Sequence, residues 1–215
     1  MTIRQRLMAH LYDRSMDGYE ADAEPRRAAL LKNLGKRIVE FGPGTGVNLK
    51  YVHEESSSSS TPEWIGIEPS KPMRDRLHTR AAKDYPELEL RFADLQDGVI
   101  DVEDGWADTV ISTLVLCSVP DQAAALREAH RVLRPGGRYL FMEHVAAKPG
   151  TSRRLAQTLM TPFWKLVTDG CCLNRETAAA LRAAGFGELE LVEYEAAKGS
   201  MPFFARSHIL GFATK

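Results

Sequence analysis

The sequence has no apolar run approaching the roughly 20 residues that a membrane span needs. Its opening stretch, MTIRQRLMAHLYDRS, carries arginines where a secretory leader needs an unbroken apolar core. Neither a signal peptide nor a membrane anchor is therefore expected. Cysteine is scarce: Cys117, Cys171 and Cys172 are too few for a disulfide framework in 215 residues, so a reducing cytoplasm is the expected home. Net charge is nearly absent, at −1, which removes the electrostatic reason to expect nucleic acid or an anionic membrane as partner. The basic pairs Arg26-Arg27 and Arg153-Arg154 are too short to reverse this and read as solvated helix faces. No internal repeat and no domain boundary interrupts the chain, so 1–215 is expected to form a single domain.

Strand and helix signals alternate along most of the length. Helical spacing covers 3–17 and 25–34, with Pro25 suited to a first turn and Gly35 to a stop. Then follow KRIVEF as a buried strand, a helix over 45–54, EWIGIE as a strand, a helix over 71–83, LELRFA and ADTVISTL as strands, and a helix over 121–133. RPGG reads as a turn before a fifth strand, RYLFMEHV. Such alternation implies right-handed parallel crossovers and an open sheet with helices on both faces. The end of the chain has two helical stretches, 152–168 and 175–184, and then two strands, ELELVEYE and FFARSHILGFA, joined closely enough to be antiparallel. Residues 1–35 would form an N-terminal helical cap, and 146–186 a helical insertion on the substrate side. The run SSSSS at 56–60 reads as a surface insertion.

The stretch RIVEFGPGTG carries the first chemistry. A phosphate-binding Walker loop needs GxxxxGK[ST], which does not follow Phe41. The dinucleotide fingerprint GxGxxG puts its third glycine where this chain has Val47. What stands here is Glu40 followed by Gly42, Gly44 and Gly46: a carboxylate that repels pyrophosphate and attracts an ammonium group, beside a backbone that a ligand can approach closely. Glu68 ends the second strand, 22 residues after Gly46, where a carboxylate can accept from both ribose hydroxyls. Asp94 follows the third strand and can accept from an adenine amino group. Each of these alone is a common turn, cap or solvated charge. Together they describe a ligand with an amino acid, a ribose and an adenine but no phosphate, and S-adenosylmethionine (SAM) meets that description.

The segments EFGPGTG, IEPSKPM, FADL and LVLCSVPDQAAALREAHRVLRPGG resemble class I SAM-dependent methyltransferases. TLVLCSV, RVLRPGG, FMEHVAA, DGCCLNRET and SHILGFATK are more narrowly similar to the animal methyltransferase-like thiol S-methyltransferases. The resemblance implies a Rossmann-like, doubly wound, mostly parallel seven-stranded α/β sheet with an antiparallel C-terminal hairpin. It also implies roles. Glu40, Gly42, Gly44 and Gly46 would meet the methionine part of SAM, and Glu68 the ribose. Pro69 and Met73 would flank the adenine, Asp94 and Leu95 would hold its edge, and Thr113 would lie near the amino-acid end and the transferred methyl. The product would be S-adenosylhomocysteine. The animal relatives carry an apolar N-terminal anchor that MTIRQRLMAH does not match.

For the acceptor, a small-molecule thiol is expected, with O-, N- or C-methylation of a small metabolite as the alternative. An NAD(P)-dependent reductase and a non-catalytic SAM-binding module are the competing classes, disfavoured by Val47 and by the intact acidic trio respectively. Methyl transfer needs orientation, desolvation and modest help to ionise a thiol. His144, at the carboxyl end of the fifth strand, is the first candidate for base or thiolate stabiliser; closing a loop hydrogen bond is the alternative. Asp169 is either a base in the acceptor pocket or a helix cap. His208 reads as structural, Cys117 as a small packed residue, and the adjacent Cys171-Cys172 lack zinc-site spacing, so no metal is expected. Tyr12, Met16 and Tyr19 either cover the ligand or pack on the sheet.

Overall fold

The computed structural model describes residues 3–56, 62–86, 88–93, 95–96, 98–168 and 170–215, with side chains throughout except at 3–15, 54–56 and 95–96. Helix α1 (Ile3–Leu30) precedes β1 (Arg37–Phe41), α2 (Leu49–Ser56), β2 (Glu63–Ile67), α3 (Lys71–Asp84) and β3 (Leu90–Phe92). A small ribbon, β4 (Leu95–Gln96) and β5 (Val99–Ile100), leads to β6 (Ala107–Thr113), α4 (Gln122–Val132) and β7 (Leu133–His144). The chain ends with α5 (Ser152–Val167), α6 (Thr177–Ala183), β8 (Glu188–Glu195) and β9 (Ser207–Thr214).

Seven strands form one sheet in the order β3-β2-β1-β6-β7-β9-β8. The first five in that order run parallel, and β9 joins β7 and β8 antiparallel. The expected doubly wound sheet with a C-terminal antiparallel hairpin is what the chain forms. Leu31 just after α1, with Leu49 and Val52 of α2 and Leu77 and Ala81 of α3, is buried against one face, and α4 and α6 bury Leu126, Ala129, Val132 and Leu181 against the other. β1, with Ile38, Val39 and Phe41 buried, is central, so both of its faces are covered and its sequence is apolar after Arg37 save for Glu40.

Three elements differ from the sequence pattern. The expected helices 3–17 and 25–34 are one helix, and Pro25 lies inside it. A proline inside a helix removes a backbone bond and costs about 3 kcal/mol. Here side chains bridge the weak point: Arg27 reaches back past Pro25 to both oxygens of Glu20 (2.9 and 2.8 Å), and Arg26 donates to the Asp22 carbonyl (2.8 Å). RPGG is not a free turn but a bulge inside β7, where the pairing jumps from Ala107↔Leu133 to Thr109↔Arg138. Phe203–Ala205 is a short 3-10 turn, not the start of the last strand. Most of the serine run lies outside the described residues. Among the described residues no helix is long and apolar enough to cross a membrane.

Candidate active site

Strands β2, β1 and β6 are neighbours, so the residues just past their carboxyl ends converge at one edge of the sheet. At the end of β1 the chain must leave the sheet at once. Gly42 does so with φ of 55°, and a Cβ there would sit 2.7 Å from Val115 Cγ2. Gly44 also has positive φ (57°), yet a Cβ there would meet nothing closer than 3.9 Å. The loop is thus closed against Val115 and open at Gly44, a cradle for a ligand. Gly46, likewise at positive φ, turns the chain toward α2.

Glu68, just past β2, is half-buried. Its Oε2 accepts from the Gly44 N–H (3.0 Å) and its Oε1 from the Ser70 N–H (2.8 Å). These bonds fix the carboxylate beside the glycine loop. Pro69 is exposed and Met73 half-buried, in the first turn of α3. Leu95 lies on the backbone of β4, and Asp94 is outside the described residues.

Glu40 is 1% exposed. Asn48 Nδ2 donates to its Oε1 (2.8 Å) and Trp64 Nε1 to its Oε2 (2.9 Å). The same Asn48 nitrogen reaches Thr113 Oγ1 (3.1 Å), and Asn48 Oδ1 accepts from Arg27 Nη1 (2.8 Å). Burial pushes the Glu40 carboxyl above its usual range, against the opposing pull of Asn48 and Trp64. The Glu40 carboxyl therefore lies beneath the loop and is linked toward the cleft through Asn48 and Thr113. Arg27 is 2% exposed, which corrects its reading as part of a solvated helix face. An arginine on a polar helix carries no sequence mark of burial; its partners come from Asn48 and from Glu20 on its own helix. Just past Thr113, Leu114 has φ of 59°, a strained value for a leucine.

The other half of the edge is built on β6 and β7. Glu143 and His144 are adjacent in β7 and so face opposite sides of the sheet. Glu143, fully buried, accepts from Ser112 Oγ (2.8 Å) and from the N–H groups of Val115 and Leu116 (3.0 Å each). It thereby pins the turn that carries Cys117. Burial raises its pKa to about 7. Sequence reasoning passed over Glu143; the one available signal was an acidic residue in the apolar strand LFMEH.

His144 is 3% exposed, and neither ring nitrogen has a hydrogen-bond partner. It pairs across the ladder with His208, which pairs with Tyr194 on the far side. Tyr19 of α1 stacks on His208 (5.1 Å) and its hydroxyl meets that of Tyr194 (3.3 Å), so Tyr19 packs on the sheet. His208 Nδ1 lies 3.1 Å from the Arg206 carbonyl, which assigns its proton to Nδ1, and burial, then the neighbouring His144, hold its pKa down at about 3. A neutral, packed His208 accords with a structural role.

The loop after α5 folds onto this edge. The Cys172 N–H donates to the Cys117 carbonyl (2.9 Å), and Arg175 to the Leu116 carbonyl (3.2 Å). As a result the sulfurs of Cys117 and Cys171 and a ring nitrogen of His144 all lie within 4.8 Å of one another. The facing Cys117 thiol, then His144, draw Cys171 below the ordinary thiol range, while Cys117 is pushed up. Asp169 is outside the described residues. A cavity of about 730 Å³ lies farther along the sheet, between the loop after β7, α6 and β8; neither Glu40 nor Cys117 lines it.

Residues 39–141 match the family model described as methyltransferase domain. Thiol S-methyltransferase TMT1A of Homo sapiens is 37% identical over 179 residues, covering 83% of this chain and 70% of that protein. Thiol S-methyltransferase TMT1B of Homo sapiens is 33% identical over 83% of this chain and 70% of its own length. The chain belongs to this family of SAM-dependent methyltransferases. A SAM-dependent methyltransferase of Thermotoga maritima shares the fold, with a TM-score of 0.68 at 17% identity over 100% of both chains. The residues at the cleft suit SAM: the Glu40 carboxyl lies beneath the loop at the end of β1, where it disfavours a pyrophosphate, the loop is open at Gly44, and Glu68 is fixed beside it where a ribose would lie.

Proposed function

We propose that this methyltransferase transfers the methyl group of SAM to the sulfur of a small-molecule thiol, in a reducing cytoplasm where its three cysteines stay as thiols. The observation that carries this reading is His144: a buried imidazole with both nitrogens unpartnered, set at the carboxyl edge beside two thiols. A buried polar group without a partner costs about 1–3 kcal/mol, and an incoming acceptor that bonds to it would recover that cost. The names of the two human relatives point to the same chemistry.

Bound SAM supplies a methyl on a sulfonium, so the protein must orient, desolvate and help ionise the acceptor. In this reading the backbone at Gly42, Gly44 and Gly46, with the buried Glu40 carboxyl acting through Asn48 and Thr113, holds the amino-acid end. Glu68 takes the ribose hydroxyls. Pro69 and Met73 flank the adenine, with Asp94 and Leu95 at its edge. His144 directs the acceptor thiol so that it reacts as thiolate, and Asp169 belongs to the wall of the acceptor pocket.

The test is methyl transfer from labelled SAM to a panel of small alkyl thiols, phenols and amines. Turnover of the thiols is expected, and turnover confined to phenols or amines would overturn the reading. His144→Ala should lower kcat by about 100-fold, the low end for loss of proton-transfer help, with KM for SAM unchanged.

A further inference from the structure

We propose that Cys117, His144 and Cys171 form a three-ligand site for a thiophilic divalent cation of the Zn²⁺ type, whose open fourth position takes the acceptor sulfur as thiolate. The inference rests on the reading of a thiol acceptor and deepens it. Two sulfurs and an imidazole are a donor set used by catalytic zinc sites, which keep one position open for substrate. Zn–S bonds of about 2.3 Å and Zn–N bonds of about 2.0 Å place tetrahedral ligands about 3.5–3.8 Å apart. The three donor atoms here lie within 4.8 Å of one another, so a contraction of about 1 Å closes the set. Cys171 can supply it, being half-buried on a loop, whereas Cys117 and His144 are held by the turn after β6 and the end of β7.

A second observation points to a ligand. His144 is 3% exposed and both of its ring nitrogens lack a partner, whereas Glu143 beside it is fully engaged and His208 opposite keeps one bond through Nδ1. One nitrogen of such an imidazole has a lone pair to offer an electrophile. The two facing sulfurs complete the match to a thiophilic dication, which binds them as thiolates. The ligands come from three separate segments that only the fold unites, so the adjacent pair Cys171-Cys172 gave no zinc spacing. Cys172 itself turns away, its sulfur on Asn174 Oδ1 (3.3 Å).

The step balances without any further reactant. The acceptor thiol releases its proton to solvent as its sulfur takes the fourth position. A sulfur lone pair forms the new S–CH3 bond, and the S–CH3 bond of the sulfonium breaks, its electron pair remaining on the departing sulfur. The products are a neutral thioether and S-adenosylhomocysteine. A thioether is a weaker ligand than a thiolate, so the product leaves the fourth position open again.

The full chain, stripped with a chelator, is titrated with Co²⁺ and then Zn²⁺. One Co²⁺ per chain is expected, with a thiolate-to-metal charge-transfer band that Zn²⁺ abolishes and whose visible partner bands shift when a small alkyl thiol is added. Loss of an outer partner of a metal ligand costs about 10–100-fold in affinity, so Cys171→Ser, Cys117→Ser and His144→Gln should each cost at least about 100-fold. Cys172→Ser should keep the stoichiometry. Absence of the band, or its survival in all three ligand variants, would overturn the site, and the half-buried Cys171→Ser keeps that outcome independent of any folding defect in the buried variants. Equal thiol methylation with and without metal would overturn the proposal while leaving the thiol acceptor standing. Metal bound as described with no thiol methylated would keep the cation site and sink both its fourth-position thiolate and the thiol-acceptor reading.

Discussion

The two halves of the carboxyl edge are built by different means. On the donor side, the glycine loop, Asn48 and Glu68 come from one contiguous stretch of chain. Most of its polar atoms are paired: Glu40 with Asn48 and Trp64, Glu68 with two backbone N–H groups, and both terminal nitrogens of Arg27 with Glu20 and Asn48. On the acceptor side, Cys117, His144 and Cys171 come from three distant segments, and His144 has no partner. In the proposed reading, the cofactor half is largely paired before binding, and the acceptor half keeps an unsatisfied imidazole for its ligand to complete.

The comparison can be broken from its most costly bond downward. Arg27→Ala removes the link between α1 and the donor side and takes the arginine partner from the Glu20 carboxylate and from Asn48 Oδ1. It should cost about 3–4 kcal/mol of stability, toward the value for breaking a buried pair, measured by urea unfolding. A loss under about 1 kcal/mol, the range of exposed pairs, would show that the donor side does not depend on the cap.

Next in size is Glu143, which holds the Cys117 turn. Its carboxyl titrates near 4.5 when unfolded and at about 7 when folded, so the folded protein binds the extra proton between those values. Stability should therefore fall as pH rises from 4.5 to 7, by roughly 3 kcal/mol in all. In Glu143→Gln the amide oxygen can accept from Val115 and Leu116 and the amide nitrogen can donate to Ser112, without that titration. The variant should lack this fall when its unfolding is followed from about pH 5 to about pH 8, a window set by the two pKa values. His208, depressed to about 3, acts in the opposite direction, losing stability as pH drops below 6.5; subtracting parent from variant at each pH removes its contribution. Parallel curves for the two proteins would refute the assignment.

Glu68→Ala removes the acceptor proposed for the ribose and should weaken SAM binding about 100-fold, the sum of two hydrogen bonds to a charged group. Calorimetry reads this directly, and an affinity within a factor of about two, under 0.5 kcal/mol, would remove Glu68 from the cofactor site. Smallest is Thr113→Val, which keeps the shape and removes one bond to Asn48; about a fivefold loss of SAM affinity is expected, near 1 kcal/mol.

Much of the donor side was legible because its signals are local. An apolar run ending in spaced glycines, and acidic residues at successive strand ends, follow from backbone rules that act over a few residues. Glu40 was legible as an acidic residue but not as a buried one, because its partners Asn48 and Trp64 are set by folding. Pro25 misled because local propensity favours a break there, and the bonds that carry α1 past it come from side chains a turn away. On the acceptor side only His144 was legible, by its place at a strand end. Cys117 read as packing and Cys171 as an inert neighbour of Cys172.

The sequence by itself determined the alternating architecture, the antiparallel terminal pair and the make-up of the glycine loop, since periodicity and turn residues act within a few positions of one another. Only the tertiary structure decided which side chains lose their water and meet. The Cys172 N–H bonded to the Cys117 carbonyl, and the ladder that sets His144 opposite His208, bring together donors separated by dozens of residues. Burial then changes their protonation preferences and leaves His144 with bonds to offer, and no pattern along the chain encodes either effect.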